Sequence, residues 1–319
     1  MMRGILAALA VLLGILPAAA QDWPAKPVKI IVPFAAGATP DVVARLIAGY
    51  LEDKLQQTLI VENRPGASGN TGTDAVAKAA PDGATIGVSI GGPLAINTLL
   101  FHNLPYDPRK DLSLITTLVT QPSALAINTS LGVNTARQLV DLIRGNPGKY
   151  AYGSIGTGSL SQLAMEAIAL KSGTQLVHVP YASSPQAMTA LMRNDVQMVC
   201  LPAISVAPQV NSGAVKILAI STAERSALLP GIPTLKEAGI DVEADAWMGL
   251  IAPAGIPAAM AERIRGLVTE AIESRAIREK LTAQLMEPIP GTPAEFSARI
   301  DSDIARWTPV IAAAQIKIE

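Results

Sequence analysis

The chain has one cysteine, Cys200, and two histidines, His102 and His178. A single cysteine excludes an internal disulfide, so the cores must stabilise the fold unaided. Two histidines far apart in sequence offer no zinc-ligand spacing, and neither a metal nor another cofactor is expected. Aromatic residues are scarce, 3% of the chain, which leaves few rings for the stacking platforms used by sugars and bases. Basic runs are missing too. Lys and Arg number 25 against 26 Asp and Glu, and setting Arg3 aside leaves a small acidic excess. Nucleic acid and anionic membrane surfaces are therefore not expected partners. Beyond the N-terminal stretch no apolar run reaches transmembrane length.

What is present begins with an export pattern. Arg3 is the only charge in residues 1–20, Ile5 to Leu16 form an apolar run too short for an anchored helix, and Ala18-Ala19-Ala20 fits a small-residue cleavage site. Cleavage near Ala20 would start the mature chain at Gln21 and mark it as exported. No cysteine follows the cut, which disfavours a lipid anchor there. Roughly 300 residues remain, enough for two lobes with separate cores.

Half the residues are hydrophobic, and with so few aromatics Ala, Val, Ile and Leu carry the burial. Strand and helix patterns alternate through the chain: Val28–Phe34 then Pro40–Leu55, Thr85–Ile90, Lys149–Gly153 then Ser159–Lys171, Gln175–Val179, Val196–Cys200, Val215–Ser221 and Trp247–Ala252. This rhythm predicts an α/β fold of two lobes, each a mainly parallel sheet flanked by helices. The long apolar stretch Leu112–Asn128 breaks at Gln121-Pro122. Hinges at Gln121 and Ser221 would make lobe one discontinuous, residues 21–121 and 222–319, around lobe two, residues 122–221.

Two stretches share one plan of strand, glycine-containing turn and helix. The first turn runs Phe34-Ala35-Ala36-Gly37-Ala38-Thr39-Pro40-Asp41. Thr39 suits the N-cap and Pro40 the first helical position; Gly37 lets the backbone approach a ligand. The second runs Ser154-Ile155-Gly156-Thr157-Gly158-Ser159-Leu160-Ser161-Gln162, where Ser159 and Gln162 fit a capping box. Free N–H groups at helix starts, beyond strand ends, are where open α/β sheets hold anions. Taken singly, each turn reads first as ordinary capping; their pairing, one per lobe, raises the reading of a shared anion site. Three to five hydrogen bonds to a charged group, at ~1.5–3 kcal/mol each, with helix-end attraction of ~0.3–1 kcal/mol, reach the ~8 kcal/mol of a micromolar complex.

The candidate ligand-binding residues are Phe34, Ala36, Gly37, Ala38, Thr39, Asp41, Ser89, Ser154, Gly156, Thr157, Gly158, Ser159, Gln162 and Tyr181. Asp41 either satisfies the helix dipole or accepts a ligand hydrogen bond. Tyr181 reads as core packing, with a pocket wall as the alternative; Cys200 reads as buried and inert, His178 as a satisfied strand residue. No catalytic residues are assigned. A serine hydrolase is the competing class, but Gly-x-Ser-x-Gly is not met at Ser154 or Ser159, since Tyr152 and Thr157 stand two residues before them.

The chain resembles the Bug-type, TctC-like receptors of tripartite tricarboxylate transporters. The marks are Ile31-Val32-Pro33-Phe34 with Gly37 and Asp41; Val61-Glu62-Asn63-Arg64-Pro65-Gly66-Ala67-Ser68-Gly69-Asn70; Ala77 to Gly83; Leu104-Pro105-Tyr106-Asp107-Pro108; His178-Val179-Pro180-Tyr181; Leu218 to Ser221; Pro230 to Thr234; and Ala252-Pro253-Ala254-Gly255-Ile256-Pro257. The resemblance implies a periplasmic Venus-flytrap fold and a small carboxylate ligand held by the loops Phe34–Asp41 and Ser154–Ser159. It also implies delivery to the permease subunits of a tripartite transporter. A monomer that is not an enzyme is expected. A receptor reporting to a sensor kinase is the alternative. The chain departs from the family at Ala38-Thr39, at Gln162 where histidine is common, and at Cys200-Leu201-Pro202-Ala203, which is less polar than usual.

Overall fold

The computed structural model describes residues 23–318; the leader and its cleavage site lie outside them. The first half of the chain supplies β1 (Val28–Val32), α1 (Thr39–Leu55), β2 (Leu59–Asn63), α2 (Asn70–Ala77), β3 (Thr85–Ile90), α3 (Asn97–Leu100) and β4 (Leu112–Gln121). Next come β5 (Ser123–Asn128), α4 (Ala136–Arg144), β6 (Ala151–Ser154), α5 (Leu160–Ser172), β7 (Val177–Pro180), α6 (Ser184–Arg193), β8 (Met198–Pro202), α7 (Ala203–Val206) and β9 (Val215–Ile220). The chain ends with β10 (Ala246–Pro253), α8 (Ala258–Glu273), α9 (Arg275–Thr282), β11 (Glu287–Pro288) and α10 (Pro293–Ala313).

These strands form two sheets, a six-stranded one in the order β11-β4-β10-β3-β1-β2 and a five-stranded one in the order β7-β6-β8-β5-β9. The break at Pro122 separates them, because β4 belongs to the first sheet and β5 to the second. A proline cannot continue the ladder of a central strand, so the long apolar stretch is cut there. Parallel pairing holds where strand–helix–strand units follow one another, β1 with β2 and β3, and β6 with β7 and β8. The strands flanking the crossings run antiparallel: β10 against β3 and β4, and β5 against β8 and β9. Both sheets are thus mixed rather than mainly parallel, because a strand that has just crossed from the other sheet meets its neighbour from the opposite end.

Aliphatic cores sit on the sheet faces. Val28, Ile30, Ile47, Leu51, Ile86 and Val88 pack with α8 residues Ile264 and Val268 on the first. Leu125, Ile127, Tyr152, Leu163, Met198 and Cys200 pack on the second. After β9 the chain stays with the second sheet. Leu235, Ile240, Val242 and Ala244 join its core, and Ala244 N–H bonds to the Ser221 carbonyl at 2.8 Å. Return to the first sheet comes only at Ala246. The last helix spans both bodies: Phe296 and Ile300 pack with Ile31, Leu94 and Trp247, while Trp307, Val310 and Ile311 pack with the second-sheet core. Among the described residues no helix is long and apolar enough to cross a membrane.

Candidate functional site

The turn after β1 opens α1. Its N-cap is Ala38, not Thr39, and no side chain caps the end directly. Asp41 performs that work from within the helix. It is 2% exposed, and accepts from Gly37 N–H at 2.8 Å, Arg45 Nε at 2.9 Å and Asn63 Nδ2 at 2.9 Å. Burial pushes its carboxyl up, but Arg45, Gly37 and Asn63 together outweigh burial and hold it below its ordinary value.

The turn after β6 repeats the device. Gly158 N–H donates to Gln162 Oε1 at 2.7 Å, again to a residue four positions on. Ser159 is the N-cap, and its Oγ accepts from Gln162 N–H at 3.4 Å. The expected capping box is therefore displaced by one residue, since the glutamine reaches past Ser159 to Gly158. Gly37 and Gly158 both have positive φ, 81° and 75°, and the bend they provide brings each amide back to its helix.

Ser154 Oγ lies 2.6 Å from His178 Nε2, and Gln162 Nε2 lies 3.2 Å from His178 Nδ1. With Oε1 engaged by Gly158 N–H, the glutamine presents its NH2 to the ring. His178 Nδ1 then accepts, and Nε2–H donates to Ser154 Oγ. The imidazole thus has no lone pair directed at the serine and cannot serve it as a base. Burial holds His178 below its ordinary pKa, and its ring stacks on Tyr152 at 5.0 Å.

A cavity of about 350 Å³ lies between the two sheets. Phe34, Thr39 and Pro40 reach it from the first turn, and Ile155, Thr157, Gly158, Ser159, Leu160 and Ser161 from the second. The crossing segments supply Gln121, Ser123, Asp245, Ala246, Trp247 and Met248; Ser68, Ile90, Gly91, Gly92, Ile96, Asn97, Cys200, Pro202 and Asp303 complete the wall. Cys200 has no solvent-exposed surface, and burial pushes its thiol up to about 12, keeping it a neutral apolar wall.

Of the sequence candidates, Phe34, Thr39, Thr157, Gly158 and Ser159 therefore meet on one cavity. Ala36, Gly37, Ala38, Asp41, Ser154, Gly156 and Gln162 belong to the same two turns but not to its wall. The glycine amides expected to receive an anion are already used, Gly37 by Asp41, Gly158 by Gln162, and Gly156 by Ser154 Oγ at 3.2 Å. Among the described residues no protein acceptor takes the N–H of Thr39, Thr157, Leu160 or Ser161, and all four line the cavity. Ser89 is elsewhere, paired with Thr73 Oγ1 at 3.1 Å; Tyr181 packs against the Val196–Leu201 core. The crossing residues and Asp303 were not anticipated. Asp303 had a signal, an acid on the apolar stripe Phe296, Ile300, Trp307, Val310.

Comparison with known proteins follows the same lines. The family model described as tripartite tricarboxylate transporter family receptor matches residues 43–316. Protein BugT of Bordetella pertussis is 33% identical over 297 residues, spanning 92% of this chain and 91% of that protein. Among solved structures, R. palustris Rpa4515 with adipate superposes with a TM-score of 0.80 at 31% identity, over 93% of this chain and 99% of that one. Periplasmic binding protein BugD superposes with a TM-score of 0.76 at 27% identity, over 92% and 99%.

Proposed function

From the premise that this chain belongs to the tripartite tricarboxylate transporter receptor family, we propose that it captures a small carboxylate in the cavity between its sheets and hands it to the permease subunits of such a transporter. The observation that carries this reading is the convergence of two helix starts, one from each sheet, on one cavity, where the N–H groups of Thr39, Thr157, Leu160 and Ser161 have no protein acceptor among the described residues. Positive helix ends and unpaired amides stabilise an anion without an arginine. The solved structure of Rpa4515 with adipate supports a small carboxylate as the class of guest.

The same proposal places the protein in the periplasm, with a leader removed near Ala20, as the export pattern and the periplasmic neighbour BugD support. Lobe one is discontinuous, residues 21–121 and the C-terminal part of the chain after the second crossing, and lobe two begins at 122. The packing of residues 235–244 on the second sheet favours moving the second crossing from Ser221 to Asp245. The chain acts as a monomer and catalyses nothing. Ester hydrolysis is favoured only by the approach of Ser154 to His178, and the ring's hydrogen bonds give it the wrong tautomer for that chemistry.

Calorimetry on ligand-free protein tests the reading with mono-, di- and tricarboxylates, amino acids and aromatic acids. One site per chain at roughly micromolar Kd or tighter is expected; silence from every anion overturns it. Steady ester turnover lost in Ser154→Ala would instead establish the hydrolase.

A further inference from the structure

Among the described residues, none that lines the cavity is Lys, Arg or His, yet two are carboxylates, Asp245 and Asp303. Asp303 has both oxygens engaged, accepting from Trp247 Nε1 at 2.8 Å and from Arg306 at 2.9 Å. Asp245 is different. Its Oδ2 accepts from Thr120 Oγ1 at 2.5 Å and from Arg299, but its Oδ1 is fully buried and has no partner among the described residues. The residue is 8% exposed. A buried carboxylate oxygen is disfavoured until a donor reaches it. Arg299 Nε and Trp307 Nε1 are also buried without partners, but neither residue lines the cavity. Much of the wall is apolar, made by Ile90, Ile96, Leu160, Pro202, Trp247 and Met248, with Ser68, Asn97, Gln121 and Ser123 as neutral polar groups.

We infer that the occupant is a carboxylate with an apolar body whose other end bears a hydrogen-bond donor, a hydroxyl or an ammonium, received by Asp245, and not a second carboxylate. This rests on the carboxylate-receptor reading above. The charged end goes to the free amides of α1 and α5, the body lies on the aliphatic wall and Trp247, and the donor meets the Asp245 carboxylate where it lines the cavity. A second carboxylate would find no cation on the wall. The nearby guanidiniums are committed, Arg299 to Asp245 and Arg306 to Asp303 and Glu243. It would also meet a like charge at Asp245.

The test is calorimetry on the full chain, refolded free of ligand, with two matched series. One is hexanoate, its ω-hydroxy and ω-amino derivatives, and adipate; the other is benzoate, its para-hydroxy and para-amino derivatives, and terephthalate. In at least one series a donor-bearing acid is expected to bind about tenfold or more tighter than both the unsubstituted acid and the diacid. The hydroxy and amino arms identify the donor. Asp245→Asn is expected to erase the ranking and, by releasing Arg299, to improve diacid binding. Should that variant fail to fold, the wild-type ranking decides alone. If the diacid or the unsubstituted acid binds as tightly in both series, the inference is overturned while carboxylate capture stands. If no acid in either series binds, the inference is overturned, and carboxylate capture is decided by the wider anion panel above.

Discussion

Gly158 sits where two side-chain ends crowd the space a methyl group would take. A Cβ there would lie 2.5 Å from Ile318 Cδ1 and 2.9 Å from Leu100 Cδ1, at a φ of 75°. Gly158→Ala strains the left-handed backbone and pushes on these two side-chain ends, and is expected to shift the turn and with it the amides of Leu160 and Ser161. The expected result is a carboxylate affinity at least about tenfold weaker by calorimetry, a loss of about 1.4 kcal/mol. Gly132→Ala is the control. Its φ is 70°, but a Cβ there meets nothing within 4 Å, so it costs about 1–2 kcal/mol of left-handed backbone strain and leaves affinity unchanged. Asp41→Ala acts differently, stripping partners from Gly37, Arg45 and Asn63. Urea unfolding should show a loss of about 2–3 kcal/mol, since charged hydrogen bonds contribute about 1.5–3 kcal/mol each and relaxation recovers some. The sequence left Asp41 open between dipole and ligand. The choice turns on Asn63, a residue of β2 whose contact with α1 is tertiary and so invisible in local pattern. Ser89 stands off the cavity wall for a like reason: its side chain meets Thr73 of α2, on a face that strand position alone does not identify.

The two strand–turn–helix units were legible as elements because their signals are local: glycines where φ is positive, a hydroxyl and a glutamine near a helix start, apolar spacing beyond. The proline break between β4 and β5 was legible for the same reason. Pairing direction was not, since β10 finds β3 and β4 across a long separation in sequence. Nor was the link between α5 and β7, where His178 braces both Ser154 and Gln162. That brace predicts a pH response. Burial lowers the His178 pKa from its ordinary 6.5, so the unfolded chain takes up the proton first as pH falls. Stability is then fully present above pH 6.5 and declines as pH drops from there through the lower folded value. Protonation also turns Nδ1 into a donor facing the Gln162 NH2, which releases Gly158. Melting curves from pH 8 to 5 should show this loss, and it should be absent in His178→Gln. An identical decline in that variant would remove His178 as its source.

At the scale of the whole molecule, two sheets joined by two crossings would ordinarily unfold as two bodies. Here they share packing. Ile96 and Leu100 leave the first sheet's half of the chain to enter the second-sheet core, and α10 places Trp307, Val310 and Ile311 in that core while Phe296 and Ile300 stay with the first. One helix therefore couples both cores, and loss of either core exposes part of the other. Trp307 is 1% exposed, and truncating a buried aromatic costs about 3–5 kcal/mol. Because that penalty falls on the second-sheet side of α10, it uncouples the halves as well as weakening one. Calorimetric melting of the wild-type chain should give one transition with matching van't Hoff and calorimetric enthalpies, and Trp307→Ala should divide it into two, the lower belonging to the second sheet. Ligand should raise the wild-type transition as a unit, since a carboxylate bridging α1 and α5 adds a further tie between the same cores. In Trp307→Ala it should draw the two transitions back together. Two transitions already present in the wild type would show that α10 packs on both cores without coupling them.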